Sequence, residues 1–209
     1  LKSLPARGPV SPCAGRLAPA RVMPATARSQ VALALTTNKI APPGLGLPVG
    51  YHSSVLVDGE EFAFSDSGVD RSQGQASHRR YGTETRTIVM GCTDKSKTQF
   101  LAALEPHFRP GTYDLLRKNC NSFSDCALFF LLRKRLPKYV GSLEAYCAGV
   151  HRNVLMAHVN YTPNLLAEGF SVDSLLSRLD PQPALEEAWS APGRETGGPT
   201  ATPAAEMRA

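Results

Sequence analysis

The sequence has no uninterrupted apolar stretch long enough to cross a membrane. Its longest apolar run covers only residues 126–132, whereas a transmembrane helix needs about 20 apolar residues. The run VALAL at residues 31–35 is also too short for the apolar region of a secretory signal. We therefore expect neither a membrane span nor a secretory signal, and the run at 126–132 predicts a helix in the core of a folded domain.

Acidic residues are absent before Asp58. Six basic residues occupy that part of the chain: Lys2, Arg7, Arg16, Arg21, Arg28 and Lys39. Their charge exceeds the net charge of +5 of the whole sequence, so the rest of the chain is close to neutral. A basic patch on the folded domain is therefore not predicted, and we expect no nucleic-acid partner.

Regular periodicity is lacking at both ends of the chain. Residues 1–28 are rich in Ala, Pro and Arg and are predicted to form a disordered leader. An alternative interpretation is an organelle transit peptide, since such peptides contain Arg and Ser and are poor in acidic residues. The first interpretation predicts a cytoplasmic or nuclear protein. Residues 29–150 are predicted to form the folded domain and 151–209 a tail, disordered after about residue 181, with one amphipathic helix at 172–179.

Motifs for several common chemistries are also missing. The five cysteines are odd in number and widely spaced, which argues against a disulfide framework and favours a reducing compartment. The sequence contains no C-x₂-C pair followed by H-x₃₋₅-H, so it does not predict a zinc site. No G-x-S-x-G turn and no phosphate-binding G-x-x-x-x-G-K-[ST] loop is found. We expect no metal and no organic cofactor.

The residues that are present predict an α+β domain with a small antiparallel sheet packed against helices. Asp58-Gly59 is a strong hairpin signal between two strands, and residues 65–85 are predicted to form a polar loop. The predicted strands cover 31–36, 52–57, 61–64 and 86–91. The predicted helices cover 95–108, 121–132 and 138–147.

Cys120, in the stretch NCNSFSDCALFFLL, precedes the most apolar helix of the chain. Unpaired N–H groups at a helix N-terminus stabilise a thiolate, and Arg117 and Lys118 lie just upstream. A buried cysteine that only packs in the core is the alternative. The pattern alone leaves both interpretations open.

A nucleophilic thiol also needs a base, which is usually a histidine from elsewhere in the chain. His52 opens a predicted strand directly after a Gly-Tyr turn, and a rigid strand end is a suitable position for a base. An ordinary strand-end histidine is the alternative. His78 lies in the polar loop beside Arg79 and Arg80 and is expected to be solvated. The remaining histidines are less suitable: His107, His151 and His158.

Two stretches, GYHSSVLVDGEEFAFSDSGV and YDLLRKNCNSFSDCALFFL, followed by LPKYVGSLE, resemble the PPPDE family of desumoylating isopeptidases. The resemblance runs from about Val31 to Leu143. It includes an aromatic-His-small-small-Val motif that opens a strand and the motif Tyr-x-Leu-Leu-x-x-Asn-Cys-Asn-x-Phe. Motif order and spacing agree with the family.

This resemblance implies a circularly permuted papain-like fold with the nucleophile at a helix N-terminus. It implies that His52 is the general base and Cys120 the nucleophile of a dyad that holds a thiolate and an imidazolium. The implied reaction is cleavage after the C-terminal glycine of a ubiquitin-like modifier, SUMO in the named members. The implied partners are SUMO- or ubiquitin-conjugated proteins, and a homodimer is implied by the family alone.

Three further residues receive roles from the resemblance. The Cys120 backbone N–H is expected to hold the oxyanion together with a side-chain amide, for which Asn119 and Asn121 are the candidates. Either asparagine is equally suited to capping the helix. Tyr51, beside the base, is expected to line a narrow channel for a Gly-Gly tail or to pack in the core.

The sequence departs from the family at three places. A second thiol, Cys126, follows Asp125 on the nucleophile's helix and is expected to lie in the core. The loop between Gly68 and Thr87 is long, polar and basic. The C-terminal tail has no evident counterpart in the family. These departures leave the modifier open.

Other functions use the same residues. NCNSF also resembles the Asn-Cys-Glu-His-Phe signature of lecithin-retinol acyltransferase-like proteins, although no second histidine closely follows His52. A thioesterase needs only the same Cys-His dyad. A non-catalytic module that binds a ubiquitin-like protein is the alternative from a different class, and it has no need for that pair.

Overall fold

The computed structural model describes residues 28–38, 48–82, 84–148 and 161–180. The strands are β1 Ser29–Asn38, β2 Gly50–Val57, β3 Glu60–Ser65, β4 Gly68–Gln73 and β5 Arg86–Thr93. The α-helices are α1 Lys97–Leu104, α2 Cys120–Leu132, α3 Ser142–Ala148 and α4 Val172–Leu179. Short 3-10 helices cover Ala76–Tyr81, Glu105–His107 and Leu165–Ala167. Within these ranges no helix is long and apolar enough to span a bilayer.

The five strands form one sheet in the order β4-β3-β2-β1-β5, and all neighbouring strands are antiparallel. The predicted α+β class is therefore confirmed, while circular permutation relative to papain stays a prediction. The predicted hairpin is also confirmed. Asp58 and Gly59 have φ of 52° and 80°, as the central residues of a turn that matches the twist of two paired strands require.

Helix α2 packs against one face of the sheet and forms the centre of the core. Side chains alternate along a strand, so Val55 and Val57 of β2 face this helix together with Phe62 and Phe64 of β3. Phe123 of α2 is fully buried, and its ring lies 5.2 Å from that of Phe108. The Phe123 ring also lies 6.4 Å from that of Phe64 on β3, so aromatic contacts hold α2 against the sheet.

Cys126 also lies in this core, with no exposed surface, as expected. Burial raises the pKa of its thiol to about 12. Cys120, Cys126 and Cys147 are free thiols.

The predicted loop at 65–85 is wrong, because this stretch forms β4 and the 3-10 helix at 76–81. Strand β4 lies at the sheet edge, and most of its side chains are at least partly exposed. It therefore lacks the apolar alternation by which a strand is recognised. Pairing with β3 holds it in place, supported by an ion pair of 2.7 Å between Arg71 and Glu60.

Residues 161–180 pack onto the domain. Helix α4 has the predicted bounds and contacts α2. Tyr161 Oη donates to Asp114 Oδ1 over 2.7 Å, and the Asn164 backbone N–H donates to Asp114 Oδ2 over 2.8 Å. This segment therefore supports the turn that leads into Cys120. The predicted leader lies outside the described residues, except for Arg28. The same holds for His151, His158 and the tail after residue 181.

Candidate active site

His52 lies in β2 and is 1% exposed. Alternation along the strand directs His52 and Ser54 away from α2 and towards the 3-10 helix at 76–81. His52 Nε2 lies 2.8 Å from Ser77 Oγ, and the imidazole ring lies 4.8 Å from the ring of Tyr81. Its other nitrogen, Nδ1, is buried and has no hydrogen-bond partner.

Glu61 anchors this side of the sheet. Its carboxylate is 1% exposed and accepts hydrogen bonds from the hydroxyls of Ser54, Ser72 and Ser77 at 2.6 to 2.8 Å. The Ser77 backbone N–H is a fourth donor, at 3.1 Å. Burial acts to raise the pKa of Glu61, but these donors together outweigh burial and lower it. The carboxylate therefore stays ionised inside the protein.

The expectation that His78 is solvated is wrong, because it is 2% exposed. Its Nδ1 lies 2.7 Å from Thr36 Oγ1 and its Nε2 lies 2.8 Å from Ser54 Oγ. The two arginines that directly follow His78, Arg79 and Arg80, misled the prediction. One signal pointed to this cluster: the polar run His52-Ser53-Ser54 lies in a strand that is otherwise apolar, which indicates polar partners on both faces.

Cys120 is the first residue of α2, and its thiol is buried. The residue before it, Asn119, caps the helix, because its Oδ1 accepts from the Ser122 backbone N–H over 2.9 Å. The contacts of Cys120 Sγ are Tyr113 Oη and Asn121 Oδ1, both at 4.0 Å. Asn119, and not Cys120, therefore satisfies the first backbone donors of the helix. For this reason a thiol can occupy the first helical position.

Cys120 lies at the same end of β2 as His52, beside an edge of β2 that is not paired with β3. Strand β3 pairs with β2 only from Val55 to Val57, so the first half of β2 leaves one edge unpaired with β3. The N-terminus of α2 lies along this edge. Asn121 Nδ2 donates to the Tyr51 carbonyl over 3.1 Å, and Ser53 Oγ donates to Asn121 Oδ1 over 2.7 Å.

Tyr81 also connects the two side chains. Its ring packs on His52, and its pKa is raised by burial and by the nearby Cys120. Among the described residues no hydrogen bond joins Cys120 Sγ to His52. His52 and Cys120 therefore both lie near Tyr81 but are not hydrogen-bonded to each other.

Both groups are neutral at physiological pH. Burial, together with His78 and Arg80, lowers the pKa of His52 to about 3. Burial raises the pKa of Cys120, against backbone donors at Ser53 and Asn121 that lower it. The expected thiolate–imidazolium pair is thus not the resting state, because a charge on either group is not compensated within this buried site.

The two candidate oxyanion asparagines already use their amide groups. Asn119 Nδ2 donates to the Leu115 carbonyl over 2.8 Å and to Glu144 Oε1 over 2.7 Å. Asn121 Nδ2 donates to Glu144 Oε1 over 2.6 Å as well as to Tyr51. Glu144 therefore ties both residues that flank the thiol to α3.

Tyr51 lines a small cavity beside Cys120, together with Tyr113 and Leu143. The cavity has a volume of about 20 Å³, enough for one water molecule. The ring of Tyr51 also packs edge-on against Tyr139 at 5.6 Å. A larger cleft of about 430 Å³ lies on the other side, and His52, Ser77 and Arg80 line it.

Tyr113 was matched to the family motif but was given no role from the sequence. Its hydroxyl points at Cys120 Sγ, and burial, reinforced by Cys120, raises its pKa far above the ordinary value. It is therefore a permanent O–H donor beside the sulphur. Within the part of the chain that the structure describes, no group of three His, Cys, Asp or Glu side chains is arranged to hold a metal ion.

Comparison with known proteins places these residues in a family. A family model described as "PPPDE putative peptidase domain" matches residues 29–157. The rat protein named desumoylating isopeptidase 1 is 31% identical over 99 residues, which is 46% of this chain and 58% of that protein. The human protein of that name is 30% identical with the same coverage. The Xenopus laevis protein is 29% identical over 46% of this chain and 57% of its own length.

The chain thus spans somewhat more than half the length of these curated relatives. The family match extends over more than half of this chain and contains both His52 and Cys120. The strands and helices that carry these two residues lie inside the matched range. The chain belongs to the PPPDE peptidase family.

Proposed function

We propose that this protein is a thiol isopeptidase that removes SUMO, or a related ubiquitin-like modifier, from lysine side chains. The observation that carries the proposal is the buried His52 Nδ1, which has no partner and lies at the same end of β2 as the Cys120 thiol. A buried polar atom without a partner is costly in a folded protein, and a base that receives a proton during the reaction needs a free lone pair. The names of the curated relatives supply the modifier.

The reaction begins from a neutral pair. His52 Nδ1 takes the thiol proton as Cys120 Sγ attacks the isopeptide carbonyl carbon, so the imidazolium forms only when negative charge forms near it. The carbonyl π electrons move to its oxygen, which becomes the oxyanion of a tetrahedral intermediate. We assign the oxyanion contacts to the Cys120 backbone N–H and the Tyr113 hydroxyl, because the asparagine amides are engaged elsewhere.

Collapse of the intermediate breaks the carbon–nitrogen bond. The imidazolium gives its proton to the departing lysine amine and leaves a thioester on Cys120. Water, deprotonated by His52, then attacks the thioester carbonyl and releases the modifier's C-terminal carboxylate and the thiol. These steps need no metal and no organic cofactor.

The proposal is tested by incubating the full 209-residue chain with SUMO and ubiquitin probes that carry a C-terminal electrophile. Intact-mass analysis is expected to show one covalent adduct with the SUMO probe and none in Cys120→Ala. An adduct with the ubiquitin probe alone would mean that the modifier is ubiquitin and not SUMO, while the proposed mechanism would stand. Cleavage of acyl thioesters without any probe adduct would support a thioesterase instead.

We expect Tyr113→Phe to lower kcat about tenfold to a hundredfold with little change in KM, because the hydroxyl acts on charge that forms only in the transition state. The measurement is steady-state cleavage of a SUMO–lysine isopeptide. Tyr139→Phe is the control, because this tyrosine is 46% exposed and packs on Tyr51 through its ring. Equal kcat in Tyr113→Phe and the wild type would remove the hydroxyl from the mechanism.

A further inference from the structure

A chain of three polar groups extends from the proposed base to a buried carboxylate. His52 Nε2 lies 2.8 Å from Ser77 Oγ, and Ser77 Oγ donates to Glu61 Oε1 over 2.6 Å. Both ends are 1% exposed. Ser77 lies on the 3-10 helix at 76–81, within the loop where this sequence departs from the PPPDE pattern.

The hydroxyl of Ser77 fixes which nitrogen of His52 carries the proton. A serine hydroxyl has one proton to donate, and Ser77 gives it to Glu61, which as an ionised carboxylate only accepts. Ser77 Oγ must then accept from His52, so the imidazole carries its proton on Nε2. The lone pair is left on Nδ1, the nitrogen without a partner.

The same carboxylate holds a second imidazole in the same way. Ser54 Oγ donates to Glu61 Oε1 over 2.7 Å and lies 2.8 Å from His78 Nε2. The rings of His52 and His78 are 4.6 Å apart. The two serines therefore occupy equivalent positions, but only Ser77 leads to the residue proposed as the base.

We infer that Ser77 is a positioning residue for His52. It transmits the charge of Glu61 to the imidazole, holds the ring in the orientation that directs Nδ1 away from Glu61, and keeps the proton on Nε2. This inference rests on the proposed function of His52. It also gives the long stretch between Gly68 and Thr87 a role: the base is competent only while the 3-10 helix is docked on the sheet.

The first test is spectroscopic and needs no substrate. The full chain labelled with ¹⁵N-histidine is expected to show a His52 Nε2 proton that exchanges slowly with water. Ser77→Ala is expected to lose this signal, whereas Ser77→Thr, which keeps a hydroxyl, is expected to retain it. Ser54→Ala is the matched control and is expected to leave the His52 signal in place. A His52 Nε2 proton equally protected in Ser77→Ala would overturn the inference.

The second test is kinetic. Cleavage of a SUMO–lysine isopeptide by Ser77→Ala is expected to fall about tenfold to a hundredfold in kcat, comparable to the loss of other residues that orient a functional histidine. KM is expected to stay within about twofold. Ser77→Thr is expected to recover most of the activity. Equal losses in Ser54→Ala and Ser77→Ala would mean that the serines only hold the loop.

The two tests separate the inference from the proposed function. If the wild-type chain cleaves no modifier, the proposed function fails, while the exchange of the His52 Nε2 proton still decides whether Ser77 holds the imidazole. If the chain is active and Ser77→Ala alters neither the proton nor kcat, only the positioning role fails. Thermal unfolding of each variant confirms that the domain stays folded.

Discussion

Cys120→Ala is expected to abolish isopeptide cleavage, with a loss of at least about a thousandfold in kcat/KM, because no other group at the helix N-terminus can form the acyl intermediate. Cleavage of a SUMO–lysine isopeptide by the full chain measures this loss. The unfolding free energy is expected to change by no more than about 1 kcal/mol, since alanine removes one buried sulphur.

Cys126→Ala is the matched control, because Cys126 is on the same helix and is also a free, buried thiol. Its thiol lies in the core and is expected to have no part in the reaction. This variant should keep wild-type activity after a similar small loss of stability. Full activity in Cys120→Ala, or loss of activity in both variants, would contradict Cys120 as the nucleophile.

The second large effect is acid destabilisation by the buried histidines. The folded-state pKa of His52 is lowered from 6.5 to about 3, and that of His78 is lowered as well, chiefly by burial. Above pH 6.5 neither the folded nor the unfolded chain binds these protons, so the stability is complete. As the pH falls from 6.5 towards 3, the unfolded chain binds protons that the folded chain excludes, and the unfolding free energy falls.

His52 is expected to contribute a slope of up to about 1.4 kcal/mol per pH unit, and His78 contributes in the same direction. Other ionisable groups face them: Glu61 from β3 and Arg80 and Tyr81 from the 3-10 helix. Cys120 of α2 lies near Tyr81. Glu61, with its lowered pKa, also loses stability on acidification, but only around and below pH 4.5. Glu144 acts in the opposite direction between pH 7.5 and 5, because burial raises its folded-state pKa, and His107 also has a lowered pKa. Comparing the denaturant unfolding of a histidine variant with that of the wild type over this range therefore isolates the contribution of that histidine.

His52→Gln is expected to reduce the slope between pH 6.5 and 5 by up to about 1.4 kcal/mol per pH unit, because the imidazole whose folded-state pKa is about 3 is removed. If His52 and His78 were exposed, they would titrate alike in the folded and unfolded chain and would contribute nothing to the pH dependence of the unfolding free energy. Equal slopes in His52→Gln and the wild type would show that His52 binds its proton as readily in the folded chain as in the unfolded chain.

Some parts of the fold depend only on local pattern and were predictable. Asp58-Gly59 determines its hairpin because both central positions need positive φ. Helix α4 has the predicted bounds, since Ser171 caps its start and the apolar spacing is clear. The strand β4 was missed because an edge strand with polar side chains has no apolar alternation to recognise.

The residues of the candidate site also divide into those that local sequence features indicate and those that only the folded structure brings together. The helix start at Cys120 and the strand start at His52 are local features that made both residues candidates, and the resemblance to the PPPDE family selected them. Ser77, Glu61 and His78 were not identified, because they meet only when β3, β2 and the 3-10 helix pack together. The ionisation state was also mispredicted: it depends on burial, which no short motif contains.

The sequence by itself therefore determined the family, the α+β class and the two residues proposed for catalysis, because each depends on residue order and short-range spacing. Only the tertiary structure decided that both groups rest in their neutral forms and that the asparagines beside Cys120 are bound to Glu144. It also decided that a serine and a glutamate lie behind His52. These properties arise from desolvation and from hydrogen bonds between residues far apart in the chain, which become defined only when the chain has folded.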